Sequence, residues 1–197
     1  MAIKSVALES NKNKARYKKH AEIAEHYQNF VSSNKGKVKG KYDEKSILLN
    51  ISFPIHTVET IHITAFSEIS ENLGKKTLEQ EMEFYFTSIS KLKSSFCLKQ
   101  KSFMGELKSL FSSTVEKYEF DDDYIAECDD LDLFAEILEY HDMTKKLINY
   151  DLELFELDKK TGHFMLRFGR FIENTYMIIN ILSFINNAID SMTIRRR

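Results

Sequence analysis

"TLEQEMEFYFTSIS", residues 77 to 90, reads in two ways, and the choice decides the fold. On helical spacing, Leu78, Met82, Tyr85, Ile89 and Leu92 share a face, with Thr77 and Gln80 placed as a capping box. On strand spacing, Met82, Phe84 and Phe86 fall together, two residues apart. Periodicity does not arbitrate, because a short apolar run satisfies both patterns. The strand reading is adopted here for "EFYFTSIS" (83–90) and for "FCLKQK" (96–101), joined by "KLKSS". "FMGELKSLF" (103–111) is then a short helix or an irregular segment.

Upstream of this stretch the pattern is clearer. "SILLNISF" (46–53) and "ETIHITAF" (59–66) are rich in β-branched residues and bracket Pro54, which predicts an antiparallel hairpin. Ile61, Ile63 and Ala65 alternate with His62 and Thr64, as in a half-buried strand. Pro54 falls at the strand end, where a missing N–H is tolerated. A helix from Lys12 is expected, with Tyr17, Ala21, Ala24, Tyr27 and Val31 as its apolar stripe. "SSNKGKVKGK" (32–41) ends that helix at Asn34 and Gly36.

Downstream, "YEFDDDYIAE" (118–127) reads as a strand or its end, and "DLDLFAEILEY" (130–140) as a helix capped by Asp129 or Asp130. A short helix or turn runs through "DMTKKLINY" (142–150). "LELFELD", "KKTG" and "HFMLRFGRF" make a hairpin, and a long helix from about Glu173 to Met192 closes the chain before "RRR". The expected fold is α+β: an antiparallel sheet with packed helices, a basic N-terminal helix and an apolar C-terminal helix. Residues 1–11 are expected to be frayed and 12–197 to form a single domain.

The chain of 197 residues has 15 Phe and 9 Tyr, enough apolar surface for a real core. With 6 Gly and 1 Pro it holds no Gly-rich phosphate loop and no Pro-rich linker. Two cysteines, Cys97 and Cys128, form no CxxC pair and suit a reducing compartment. "MAIKSVALES" has no apolar stretch of signal-peptide length. The run from Tyr176 to Ile189 is broken by Asn180, Ser183, Asn186 and Asn187 and is too short to span a bilayer, so no membrane contact is expected. A cytoplasmic location follows from these features as an expectation.

Net charge is −2, so no global field favours nucleic acid. The charge is nonetheless segregated. Lysines and arginines crowd residues 1–45, while Tyr118 to Asp142 holds acids and no Lys or Arg. The basic candidates are Lys14, Arg16, Lys18, Lys19, Lys35, Lys37, Lys39 and Lys41; the helical ones fall mostly off the apolar stripe. The acidic candidates are Asp121, Asp122, Asp123, Asp129, Asp130 and Asp132. An EF-hand loop counted from Glu119 puts Tyr124 where the glycine must be, so that site is rejected, although a looser oxygen cage at 121–123 stays open. Asp129, Asp130 and Asp132 sit where a helix begins and suit its free N–H groups. The run as a whole is a negative patch on which a basic partner, or the chain's own basic segment, would dock.

No metal, cofactor or catalytic group is expected. The six histidines form no HExxH or i, i+4 pair, and each reads as a surface or strand-face residue. Cys97, between Phe96 and Leu98, reads as an inert core thiol, and the acids around Cys128 discourage a thiolate. No G-x-S-x-G elbow appears.

The order F-D-x-x-Y, then D, then an A-x-x-L helix, a hairpin and a terminal helix is carried by Phe120, Asp121, Tyr124, Asp132, Ala135 and Leu138. Over roughly the last 80 residues it resembles bacterial domain families without an assigned activity. The resemblance implies an α+β fold and no site.

The function expected is non-enzymatic: a protein-interaction or structural role through the charged and apolar surfaces. The apolar width of the C-terminal helix means either that it runs through the core or that one face meets a second copy in a homodimer. The alternatives are a nucleic-acid or phosphate binder working through residues 12–41, and an enzyme of unrecognised type using carboxylates such as Asp121 and Asp123.

Overall fold

A computed structural model describes residues 2–55, 58–72, 75–87, 92–101, 116–121, 123–139 and 143–192. Among the described residues ten strands form one sheet: β1 (Ile3–Ser5), β2 (Lys37–Tyr42), β3 (Ser46–Ile55), β4 (Val58–Asn72), β5 (Lys75–Thr87), β6 (Phe96–Gln100), β7 (Glu116–Asp121), β8 (Tyr124–Cys128), β9 (Leu152–Asp158) and β10 (His163–Phe168). Their spatial order is β1-β2-β3-β4-β5-β10-β9-β6-β8-β7. Every described pairing is antiparallel except β1 with β2. Among the described residues four α-helices accompany it: α1 (Ala15–Ser33), α2 (Leu131–Glu139), α3 (Met143–Asn149) and α4 (Thr175–Met192). The α+β expectation holds.

The ambiguous stretch is strand β5. It pairs with β4 from His62↔Tyr85 to Asn72↔Lys75, so Thr77 and Gln80 are ladder residues and not a capping box. On its other side it pairs with β10, Phe84 facing Leu166 and Phe86 facing Phe164. A helix would have forfeited both ladders, and tertiary pairing outweighs the local helical pattern. Residues 88–90 and 103–111 lie outside the described residues.

Alternation places both residues of every second cross-strand pair on the inner face. A continuous rung runs Val38, Ile51, Ile63, Phe84, Leu166, Phe155, Leu98 and Ala126 across eight strands. These residues join Ala24, Tyr27 and Val31 of α1, Phe134 and Ile137 of α2, Leu147 of α3 and most of α4 in one buried cluster. The helices therefore cover the inner face. Pro54 sits at an irregularity between Phe53 and Ile55, where its missing N–H costs no ladder bond.

Several expectations shift at element ends. Residues 3–5, expected to be frayed, pair with Gly40, Lys41 and Tyr42. "KVKGKY" (37–42), read only as a basic tail to the helix, is strand β2. The buried stripe of α1 is His20, Ala24, Tyr27 and Val31. Tyr17 and Ala21 flank it, half-buried. Helix α1 stops as expected: Lys35 takes a left-handed φ of 59°, and Gly36 N bonds Val31 O at 2.9 Å. A Cβ on Gly36 would lie 2.6 Å from the Phe53 ring, which explains the glycine.

The width of α4 is absorbed within the chain. Met177, Ile178, Ile181, Phe184, Ile185, Ala188, Ile189 and Met192 are all buried, leaving Tyr176 and Ile179 as its exposed large side chains. The helix therefore offers little apolar surface for a second copy. Among the described residues no helix is long and apolar enough to cross a membrane.

Candidate functional site

The basic candidates divide among three places. Lys37, Lys39 and Lys41 alternate along β2 and project from the outer face, all exposed. Beside them across the sheet lie Ser52 and Asn50 of β3, then His62 and Thr64 of β4, then Tyr85 and Glu83 of β5. The His62 and Tyr85 rings stack with centroids 5.4 Å apart and planes at 22°. Lys37, Lys39, Asn50, Ser52 and His62 line a shallow groove of about 250 Å³. Glu83 answers Arg167 of β10, whose Nε donates to Glu83 Oε1 at 2.6 Å.

Arg16 and Lys19 lie at a second place, on the inner side. Together with His20 and Ile23 they face the sheet from α1, over Ile47, Ser67 and Gln80. Lys19 pairs with Glu173 at 2.7 Å. Lys14, at the helix start, lies 3.7 Å from Glu44 and is largely exposed, as are Lys18 and Lys35.

The acidic candidates are not one patch. Asp121 ends β7, Asp123 is exposed in the β7–β8 turn, and Asp129, Asp130 and Asp132 follow β8 at its far end. A strand rise of about 3.4 Å per residue sets the two groups roughly 20 Å apart. Asp122 lies outside the described residues. Asp130 Oδ1 accepts the Leu133 N–H at 3.1 Å and so caps α2. Asp129 is a brace: Oδ1 accepts the Ser95 N–H at 2.7 Å and the Ser94 hydroxyl, and Oδ2 accepts from Lys159. Burial alone would raise its carboxyl, but the hydrogen bonds from Lys159, Ser94 and Ser95 hold it below the usual range. The capping reading of this run is the better one. Strands β2 and β8 stand near opposite edges of the sheet.

One constellation had no counterpart in the sequence reading. On the outer face of β9, β6 and β8, Glu156, Cys97 and Glu127 form a single rung, with Lys99 one rung along. All four are buried. Lys99 Nζ lies 3.2 Å from Glu127 Oε1. Burial pushes the Cys97 thiol up to about 12, with Glu156 adding to the shift, so it is no nucleophile at neutral pH. Burial, then Asp158, raises the Glu156 carboxyl. Cys97 is buried as expected, but away from the main apolar cluster. Three strands supply this rung from positions up to 59 residues apart, so no local pattern announces it.

The histidines also separate. His62 and His163 are strand-face residues as expected. His20 departs from the expectation: it is 4% exposed, and its Nδ1 lies 2.7 Å from Asp43 O. His26 is on the surface and reaches Thr175 Oγ1 at 2.9 Å. His56 and His141 lie outside the described residues. Among the described residues no group of three or more His, Cys, Asp or Glu is placed to hold a metal ion.

Comparison with known proteins adds little. No family model matches the chain, and no curated protein matches it. Among solved structures the crystal structure of the mycobacterial trehalose monomycolate transport factor A is similar, at 9% identity and a TM-score of 0.39, over 68% of this chain and 78% of that one. A likeness of that degree carries no statement about this chain's function.

Proposed function

We propose that this chain is a non-enzymatic binding protein that engages an acidic surface of a protein partner through the outer face of β2–β5. The observation that supports this most directly is the one-sided placement of the helices. The cluster that buries α1 to α4 takes only the inner-face residues of the sheet. Lys37, Lys39, Asn50 and His62 on the other side stay exposed around a groove. The lysine row supplies charge complementarity, which sets partner choice and encounter rate more than affinity. Half-buried Phe66 and Met165 on the same face supply apolar contact.

The second reading is single-stranded nucleic acid, favoured by the same lysines beside the His62–Tyr85 stack. Glu81 and Glu83 of β5 project from the same face, three strands from the lysine row, and oppose phosphate. The protein reading is therefore preferred.

A photo-crosslinking residue at Asn50, in the full chain expressed in its native cells, tests the choice. The expected result is a nuclease-resistant adduct with one protein, lost when Lys37, Lys39 and Lys41 become Glu. An adduct destroyed by nuclease selects the second reading. An adduct unchanged by the triple substitution sinks both.

A further inference from the structure

The cavity beneath the first turns of α1 is built from three directions. Its roof is one helical face, Arg16, Lys19, His20 and Ile23, at the i, i+3, i+4, i+7 spacing that aligns side chains. Its floor is one rung of the sheet, Ile47 of β3, Ser67 of β4 and Gln80 of β5, with Leu78 at the rim. Its end wall is Phe171 and Glu173, from the segment joining β10 to α4. That wall is fixed to the roof: Tyr27 donates its hydroxyl to Ile172 O, Lys19 pairs with Glu173, and Tyr27 packs edge-on to Phe171. The space between them is about 140 Å³ and opens to solvent past Lys19, Glu173 and Leu78.

One group in this lining lacks a partner. Arg16 Nε is shielded from solvent and has no hydrogen-bond acceptor. A guanidinium cannot discharge by losing a proton, so a buried N–H of this kind calls for an acceptor. The other charges nearby cancel. Lys19 is answered by Glu173, and burial with the nearby Arg16 charge keeps His20 below its ordinary range and neutral at pH 7. Among the described residues of its lining, the cavity therefore carries one uncompensated positive charge. Ser67, 5% exposed, accepts from Gln80 Nε2 at 3.3 Å and keeps its own O–H to donate. Ile23, Ile47, Leu78 and Phe171 present hydrocarbon to whatever fills the rest.

We propose that this cavity is a binding site for a small monocarboxylate, with Arg16 and Ser67 holding the carboxylate and the apolar wall holding a short alkyl group. One net charge matches a monoanion, and a phosphate dianion would leave a charge unanswered. The volume suits a molecule of about five non-hydrogen atoms, given that a water molecule occupies about 30 Å³. Propionate is the probe. The site is independent of the outer face and stands or falls separately from the protein-binding reading.

The test is titration of the full chain with sodium propionate, sodium chloride and sodium phosphate, followed by backbone amide NMR shifts and by thermal midpoint. Saturable shifts at Ser67, Gln80 and Phe171 are expected with propionate, with a Kd of about 1 mM, which five heavy atoms can supply. A concentration-dependent rise in the midpoint should accompany them. R16Q is expected to weaken binding at least tenfold, and Lys39→Gln to leave it unchanged. Shifts that never saturate, phosphate binding tighter than propionate, or a folded R16Q variant with unaltered affinity would overturn the assignment. Should R16Q fail to fold, S67A carries the test: binding weakened several-fold supports the site, and unchanged binding removes it.

Discussion

On the outer face of the sheet, Lys37, Lys39 and Lys41 of β2 stand in solvent, whereas Lys99 of β6 is 5% exposed and lies 3.2 Å from Glu127. The four side chains are of one type, on one face of one sheet. What separates them is strand order. Strand β2 carries its lysines near one edge, where the outer face is left open. Strand β6, between β9 and β8, carries Lys99 into a covered zone with Cys97 and Glu156. The comparison teaches that a charged residue in this chain stands in solvent in one half and is built into the covered sheet in the other. A buried ion pair adds little net stability over a hydrophobic pair, yet removing one partner is severe, because a charge is left in a poor solvent.

The comparison breaks first at Lys99. K99M is expected to cost about 3–5 kcal/mol in urea unfolding, with most of that recovered when Glu127 is made Gln in the same chain. A cost below about 1 kcal/mol would place Lys99 in water and erase the distinction. The boundary between the halves is probed at Arg167, whose pair with Glu83 is 27% and 17% exposed at the two side chains. R167M should cost less, about 1 kcal/mol by the same measurement, since that pair is partly open to solvent, which screens it.

Glu156 sharpens the contrast through pH. Burial raises its carboxyl above the ordinary value of 4.5, so the folded chain binds that proton more tightly than the unfolded one. Its stabilising share is complete below that value and is lost as pH rises through the folded pKa. E156Q should therefore gain stability relative to the parent at neutral pH, and the gain should vanish in acid below about pH 4. A gain independent of pH would mean that packing and not titration is responsible. The smallest effect is expected at Lys39. K39M should change the unfolding free energy by no more than about 0.5 kcal/mol, since the side chain is exposed and makes no buried contact.

The same division governs what the sequence made legible. The β3–β4 and β9–β10 hairpins, α2 with its Asp130 cap, and α4 follow local patterns and stand where those patterns put them. Strand β2 was hidden because Lys37, Lys39 and Lys41 drew the reading toward charge, although Val38 and Tyr42 keep the period of two. The cavity left a trace that was present but unused. Ser67 continues the inward alternation of Ile61, Ile63 and Ala65, which puts a hydroxyl at a core position. Arg16 and His20 share a helical face with Ile23. The Glu156–Cys97–Glu127 rung left none, because strand order brings it together and strand order is not a local property.

The seam between β5 and β10 has a consequence for how the chain is made. Strands β2 to β5 follow one another and can pair as they emerge, but β5 waits for β10, its remaining neighbour. At roughly 5–20 residues per second, about 4–15 s pass between synthesis of Thr87 and of His163. Through that interval the nascent sheet ends in a strand bearing Met82, Phe84 and Phe86, with its backbone N–H and C=O groups unmatched. The ribosome-bound half is thus the aggregation-prone form of this protein, and closure of a single ladder turns it into a finished sheet.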